Sequence, residues 1–337
     1  MMTFLLSNRI LKILGLFALI LVMIVCGFSS VRFGLTQITW EMVWQAYSQF
    51  DGSNEQIIIT TSRVPRALIA IAVGISLGMA GALMQGLTKN PLAAPDIYGL
   101  NAGASFFIVF FVVFLGVSSL SAFTWIAFLG SGLAALAIYV LGSLGRNGLS
   151  PMKLTLAGAS MAALFSSLTQ GMLSMNEKAL DEVLFWLAGS VEGRSLEMLT
   201  PVLPYMITAW VAAFLLAKQV NTLSMGEDVA KGLGQRTVWI KSLTWAVIVL
   251  LAGSSVAVAG PIGFVGIVVP HLARALVGVD YRWLLPYSGV LGAILLLLAD
   301  ISARYIIMPK EVPVGVMTAL IGTPFFVYIA RKGFYRK

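Results

Sequence analysis

The sequence predicts an all-α polytopic membrane protein with ten transmembrane helices. Three observations predict this. Of the 337 residues, 59% are hydrophobic and only 11% are charged, and the charges sit between long uncharged stretches. A soluble domain carries roughly 25% charged residues, so this chain must face lipid over much of its surface. The third observation is the spacing of those stretches, since a span needs roughly 20 apolar residues.

Taken in order, the first uncharged stretch is Ile13–Val31, 19 residues after Arg9 and Lys12. Basic residues before an apolar run also mark a cleaved signal peptide, and Gly27, Ser29 and Ser30 supply small residues. The length favours retention as a first span. Ala67–Thr88 supplies the second. Ile97–Gly145 is 49 residues long and fits two helices with a turn near Gly116-Val117-Ser118-Ser119. Leu154–Asn176, Met198–Ala217, Trp283–Ala299 and Val312–Ala330 supply one span each. Ser242–Ala273, 32 residues, is long for one helix and short for two, but Gly260, Pro261, Gly263 and Gly266 favour a break within it.

Charge decides that count. With ten spans and an inside N-terminus, the inside cations are Arg9, Lys12, Lys89, Arg146, Lys153, Lys218, Lys231, Arg236, Lys241, Arg274, Arg282, Arg331, Lys332, Arg336 and Lys337, which are 15 of the 22 Lys and Arg. With nine spans the two sides carry 11 each, so only ten spans give a positive-inside bias and place both termini in the cytoplasm. The net charge of +8 is thus topology signalling rather than a nucleic-acid footprint. No composition shift divides the chain, so residues 1–337 read as one domain. Gly74 and Gly78, with Gly81 and Gly86 beyond them, have the spacing that lets helices approach closely in lipid.

Function classes narrow by what the residues do not supply. There is one cysteine, Cys26, and one histidine, His271, so no disulfide framework or Cys/His metal cluster exists and no metal site is expected. No G-x-x-x-x-G-K-[ST] motif occurs, so the chain has no P-loop. No paired acids lie within the uncharged spans, and no nucleophile–base pair suggests catalysis. His271 reads as a structural side chain rather than a proton site.

Three clusters remain. The connector 218–240 carries Ser224-Met225-Gly226-Glu227, which fits a capping box, then a short helix ended by Gly232 and Gly234. Arg63-Val64-Pro65-Arg66 and Arg304 fall outside, against the charge bias. They suit reception of a partner's carboxylates and equally suit headgroup anchoring or local pairing, Arg304 with Asp300 for instance. The segment Gly260–His271 is broken by glycine and proline, which is tolerated at membrane depth only in protein or beside water.

These clusters, in order, resemble the FecCD family, the permeases of ABC importers for ferric siderophores, haem and cobalamin. The resemblance runs through Arg63–Arg66, Gln85-Gly86, Lys89–Pro95, Gly99–Gly103, Leu156–Gly158, Trp186–Ser190, Gly226–Gly234, Gly260–Arg274, Leu284–Pro286, Leu298–Arg304 and Val312–Pro324. It implies a type II importer permease in the cytoplasmic membrane of a bacterium. The implied partners are a second permease subunit, two cytoplasmic ATPases holding ATP and Mg, and an extracytoplasmic binding protein; no cofactor is implied on this chain. By resemblance, Gly226, Glu227, Ala230, Gly232 and Gly234 couple to the ATPase, and Arg63, Arg66 and Arg304 dock the binding protein. The pathway candidates in span five are Met161, Ser166, Ser167, Gln170 and Met172. Pro151 and Met152 stand where the cobalamin permease carries the small hydroxyl residues of an inner gate. Ferric siderophore is the expected substrate, with haem or cobalamin as alternatives and an ion-coupled secondary transporter as the reading from a different class.

Overall fold

The computed structural model describes residues 5–34, 36–144 and 150–334, so Arg146, Arg336 and Lys337 of the inside cations lie outside the described residues. The chain order begins with α1 (Arg9–Arg32), α2 (Trp40–Ser48), α3 (Asn54–Ile58) and a π-helical turn, Ile59–Arg63, that runs into α4 (Val64–Thr88). It continues with α5 (Leu100–Leu115), α6 (Leu120–Ser143), α7 (Pro151–Met175), α8 (Glu177–Leu187) and α9 (Leu196–Leu199). The last six are α10 (Leu203–Ser224), α11 (Glu227–Gly232), α12 (Thr237–Ala259), α13 (Val265–Val277), α14 (Tyr281–Ala303) and α15 (Val314–Phe334). Among the described residues, seven helices are long and apolar enough to cross a membrane, and α5, α13 and α15 are shorter apolar helices.

Local chemistry sets the boundaries. Gly116, at φ 63°, ends α5 in the expected turn. Ser150 accepts from the Lys153 N–H at 3.3 Å as the cap of α7, with Pro151 in the first turn, where its missing N–H costs nothing. Pro151 therefore has a helix-starting role of its own. The span expected from Met198 starts at Leu203 instead. Pro201 and Pro204 lack the N–H groups a continuous helix needs, so Leu196–Leu199 stands apart as α9. The long stretch Ser242–Ala273 breaks as expected: α12 stops at Gly260, and α13 starts after Phe264, both with positive φ.

α4 is the centre of the bundle, with 83% of its span buried against α14, α12, α13 and α10. Its small residues make this possible. A Cβ on Gly78 would fall 2.2 Å from the Ser288 carbonyl oxygen, and one on Gly81 would fall 2.1 Å from that of Gly266. Backbones in such contact leave no room for a side chain, which is the close packing that small residues permit in lipid.

The two ends of the bundle differ. One rim holds the start of α4 and the end of α14. The opposite rim holds the end of α10, α11 and the start of α14, where Asn221 donates to Asp280 at 2.7 Å and accepts from the Tyr281 N–H at 2.8 Å.

Candidate functional site

At the first rim the three arginines, the docking candidates, are turned into the protein rather than outward. Arg63, Arg66 and Arg304 are 6%, 5% and 0% exposed. Arg66 donates to Asp300 at 2.7 Å and to Glu311 at 2.5 Å. Arg304 pairs with the same Asp300, one helical turn away on α14, and donates to the carbonyls of Ser30 and Phe33. Arg63 donates to Phe33 O at 2.8 Å, and its guanidinium lies so close over Gly34 that a Cβ there would be 1.9 Å away. The physical reason is local supply: Asp300 and Glu311 offer acceptors, and buried charges must be paired. Of the two readings the sequence allowed, local pairing describes this geometry. Glu311 is the least buried member of the Asp300–Arg66–Glu311 set, with 13% of its side chain exposed.

At the opposite rim, α11 crosses between α10 and α12. The expected capping box does not form. Ser224 is the last residue of α10 and donates to Asn221 O at 2.7 Å, so its hydroxyl is turned back into that helix. Gly226, at φ 137°, is the cap position instead, and Gly234, at φ 78°, ends the turn. Glu227 is tied inward, to Lys241 at 2.5 Å and to Lys231 at 3.2 Å. Ala230 is fully buried under the helix. Met225 before α11, Val229 on it and Leu233 at its end are 70%, 46% and 68% exposed. This uncovered apolar stripe was not singled out from the sequence; the spacing of 225, 229 and 233 was the available signal.

The Lys241 hydrogen bond, then the one from Lys231, holds the Glu227 carboxyl below its ordinary value of 4.5. A lowered carboxylate stabilises above its unfolded pKa and loses that contribution as pH falls through the folded pKa. Hydrogen exchange of residues 225–236 is therefore expected to stay constant from about pH 8 to about pH 5 and to rise only below ordinary carboxylate titration, once corrected for intrinsic rates.

Between the rims, three segments meet at backbone distance. A Cβ on Gly260 would lie 2.4 Å from Trp186 O, and one on Gly189 would lie 2.3 Å from Pro261 O. The Ser190 N–H donates to Ala259 O at 2.8 Å, and the Gly315 N–H donates to Gly189 O at 2.9 Å. The motifs around Trp186, Gly260 and Val312 are thus one junction. Polar groups freed by the break find partners: Gln85 donates to Gly266 O at 3.1 Å, and Asp96 accepts from the Phe264 N–H at 3.3 Å at the start of α13. Asp96 was not singled out from the sequence. Its carboxylate sits where a helix N-terminus favours negative charge. His271 lies within hydrogen-bond distance of Ile267 O, at 3.2 Å, and meets Phe325 edge-on, as a structural side chain does.

α1 and α7 are the two least buried of the seven spans. α1 is the most apolar of the seven spans and only 6% buried, as a helix facing lipid should be. α7 is the least apolar and 28% buried. Ser166, Ser167 and Gln170 are exposed on it, Met161 and Met172 are partly exposed, and Met152 at its start is 82% exposed. Lipid is a poor neighbour for Ser167 and Gln170 at mid-helix, so this face suits water or another chain.

The chain is a multi-pass helical bundle with a broken span, a partly open helix that carries polar groups and a short polar connector helix, the architecture of a membrane permease. The FecCD transport family model matches residues 21–332, and the chain belongs to that family. It is 59% identical over 322 residues to the probable siderophore transport system permease protein YfiZ of Bacillus subtilis, covering 96% of this chain and 97% of that one. It is 40% identical over 314 residues to the ferric enterobactin transport system permease protein FepD of Escherichia coli, covering 93% and 94%. Among solved structures, a metal-chelate type ABC transporter in an inward-facing conformation superposes with a TM-score of 0.82 at 30% identity, covering 94% of this chain and 98% of that chain.

Proposed function

We propose that this permease carries a ferric siderophore across the cytoplasmic membrane by alternating access. It works as one of two permease subunits, driven by two ATPases on the cytoplasmic side and supplied by an external binding protein. The observation that carries the reading is α11: the sequence has no P-loop, yet an apolar stripe, Met225, Val229 and Leu233, stands uncovered beyond the bundle. An ATPase groove is the occupant such a knob suits, with Gly226, Ala230, Gly232 and Gly234 shaping the helix and Glu227 fixing it to Lys241. Motion of the nucleotide-bound ATPases then reaches α10 and α12 directly, because α11 joins them.

The orientation follows the charge bias, with both termini inside, ten spans counting α5, α13 and α15, and the arginine rim outside. The open face of α7 lies toward the second permease and the pathway, with Ser166, Ser167 and Gln170 offering hydroxyl and amide groups to a bulky polar cargo. Siderophore as cargo is supported by the names of relatives at 59% and 40% identity. Ser167→Trp is expected to lower uptake about tenfold or more while leaving ATP hydrolysis by the complex near normal, since one misplaced bulky group can block a path without touching α11. Equal loss of both activities would place Ser167 outside the pathway.

Docking is assigned to the arginine rim through exchange. A carboxylate of the binding protein reaches Arg66 by displacing Glu311, its more exposed partner. Glu311→Gln removes the competing charge, and a charge-assisted hydrogen bond is worth ~1.5–3 kcal/mol. That variant is therefore expected to bind the binding protein about tenfold more tightly in surface plasmon resonance on the purified complex. Weaker docking in Glu311→Gln would overturn the exchange.

The ion-coupled alternative calls for uptake without an ATPase. Asp96 is the acid nearest the broken segment, and it is engaged as a helix cap to the Phe264 N–H. ATP-dependent uptake by the co-purified complex separates the two.

A further inference from the structure

We propose that the groove between the end of α1 and the start of α2 binds an anionic phospholipid, with its phosphate on Arg32 and an acyl chain between Val25, Phe28 and Trp40. The groove measures about 440 Å³ and is lined by Val25, Phe28, Ser29 and Trp40. It is open along the surface, so it suits a chain lying against the protein rather than an enclosed small molecule. Its walls are apolar, and it opens onto the surface of α1 that faces lipid. Val25 and Phe28 are each 56% exposed there. Phe28 and Trp40 hold each other edge to face at 5.7 Å, so the groove has a fixed aromatic wall.

Charge selects the lipid class. Arg32 follows Phe28 by one helical turn, in the last turn of α1. Its guanidinium lies over the Trp40 ring at 5.8 Å. A cation–π contact consumes no N–H donor, so the guanidinium keeps its donors for an acceptor. Among the described residues no ion pair reaches Arg32, and Glu41, the acid on α2, accepts from Gln45 at 3.3 Å instead. A phosphate is the acceptor that a planar, permanently charged fork fits best.

Depth agrees with a headgroup. Trp40, Trp44 and Tyr47 recur at helical spacing on the outward face of α2 and are 44%, 76% and 63% exposed. The opposite face of α2, with Met42, Val43 and Ala46, packs on Ile38 and Ile59. Trp and Tyr in such a stripe lie at the membrane–water boundary, where headgroups are. The phosphate of a lipid seated there meets Arg32 while its chain runs down α1 past Val25. Free phosphate lacks the chain that fills the groove, so the occupant is the lipid.

The test is native mass spectrometry on the intact complex, delipidated and titrated separately with phosphatidylglycerol and phosphatidylcholine. The wild type is expected to retain phosphatidylglycerol about fivefold over phosphatidylcholine, the factor for one basic residue beside an anionic headgroup. Arg32→Gln is expected to bring the two lipids level, Arg32→Lys to keep most of the preference, and Val25→Trp to lower retention of both by filling the groove. Equal retention of both lipids by the wild type, an undiminished preference in Arg32→Gln, or full retention in Val25→Trp would each overturn the site.

Discussion

Arg66→Glu is expected to leave little folded protein in the membrane. The substitution puts a third carboxylate where a guanidinium now lies 2.7 Å from Asp300 and 2.5 Å from Glu311. Asp300 is fully buried and has no water to fall back on. Removing one partner of a buried pair costs about 3–5 kcal/mol, and reversing its sign adds repulsion to that loss. Native proteins have only about 5–15 kcal/mol in hand. Read as outward groups, Arg63 and Arg66 would tolerate reversal and lose only docking; their burial predicts loss of the fold first. Fluorescence-detected size-exclusion chromatography of the solubilised chain gives the answer. Wild-type yield and melting temperature in Arg66→Glu would mean that the network does not hold α4 to α14.

Val229→Asp combined with Leu233→Asp is expected to have the opposite signature: a folded permease that no longer works. Both side chains are exposed, at 46% and 68%, and neither belongs to the packed bundle. Two carboxylates on that stripe leave unpaired charge in any apolar groove that receives α11. Central interface positions are worth ~2 kcal/mol or more each, so ATPase association is expected to weaken by well over about thirtyfold. Glu227→Arg tests a separate element, because it sets a cation against Lys231 and Lys241 and loosens α11 without changing the stripe. Pull-down of the ATPase subunits with the tagged permease distinguishes the cases. Normal recovery with the double aspartate variant would remove α11 from the coupling role.

The parts of this structure that were legible in the sequence are those set by the solvent. Lipid demands long uncharged runs, so α1, α4, α7 and α12 stand out, and the break after Ala259 is announced by Gly260 and Pro261. Gly116 closes α5 as its freedom at positive φ suggests. What stayed hidden depends on long-range partners. The arginine rim reads as outward because its acceptors, Asp300 and Glu311, are more than 200 residues away along the chain from Arg66. α2 and α8 were missed because they carry charge and are short, so a search for uncharged runs passes over them. The Ser224 capping box fits as a pattern, but continuation of α10 through Ser224 takes the hydroxyl first. Asp96 gives no periodic signal at all. Its role exists only once α13 begins beside it.

The proposed function requires that transport by this chain be driven by ATPases outside it. Uptake of radiolabelled ferric siderophore into proteoliposomes tests that requirement directly, with the permease reconstituted alone or with its ATPases and binding protein. The expected result is uptake that requires the full complex and ATP and is indifferent to an imposed proton or sodium gradient. Gradient-driven uptake by the permease alone would contradict it.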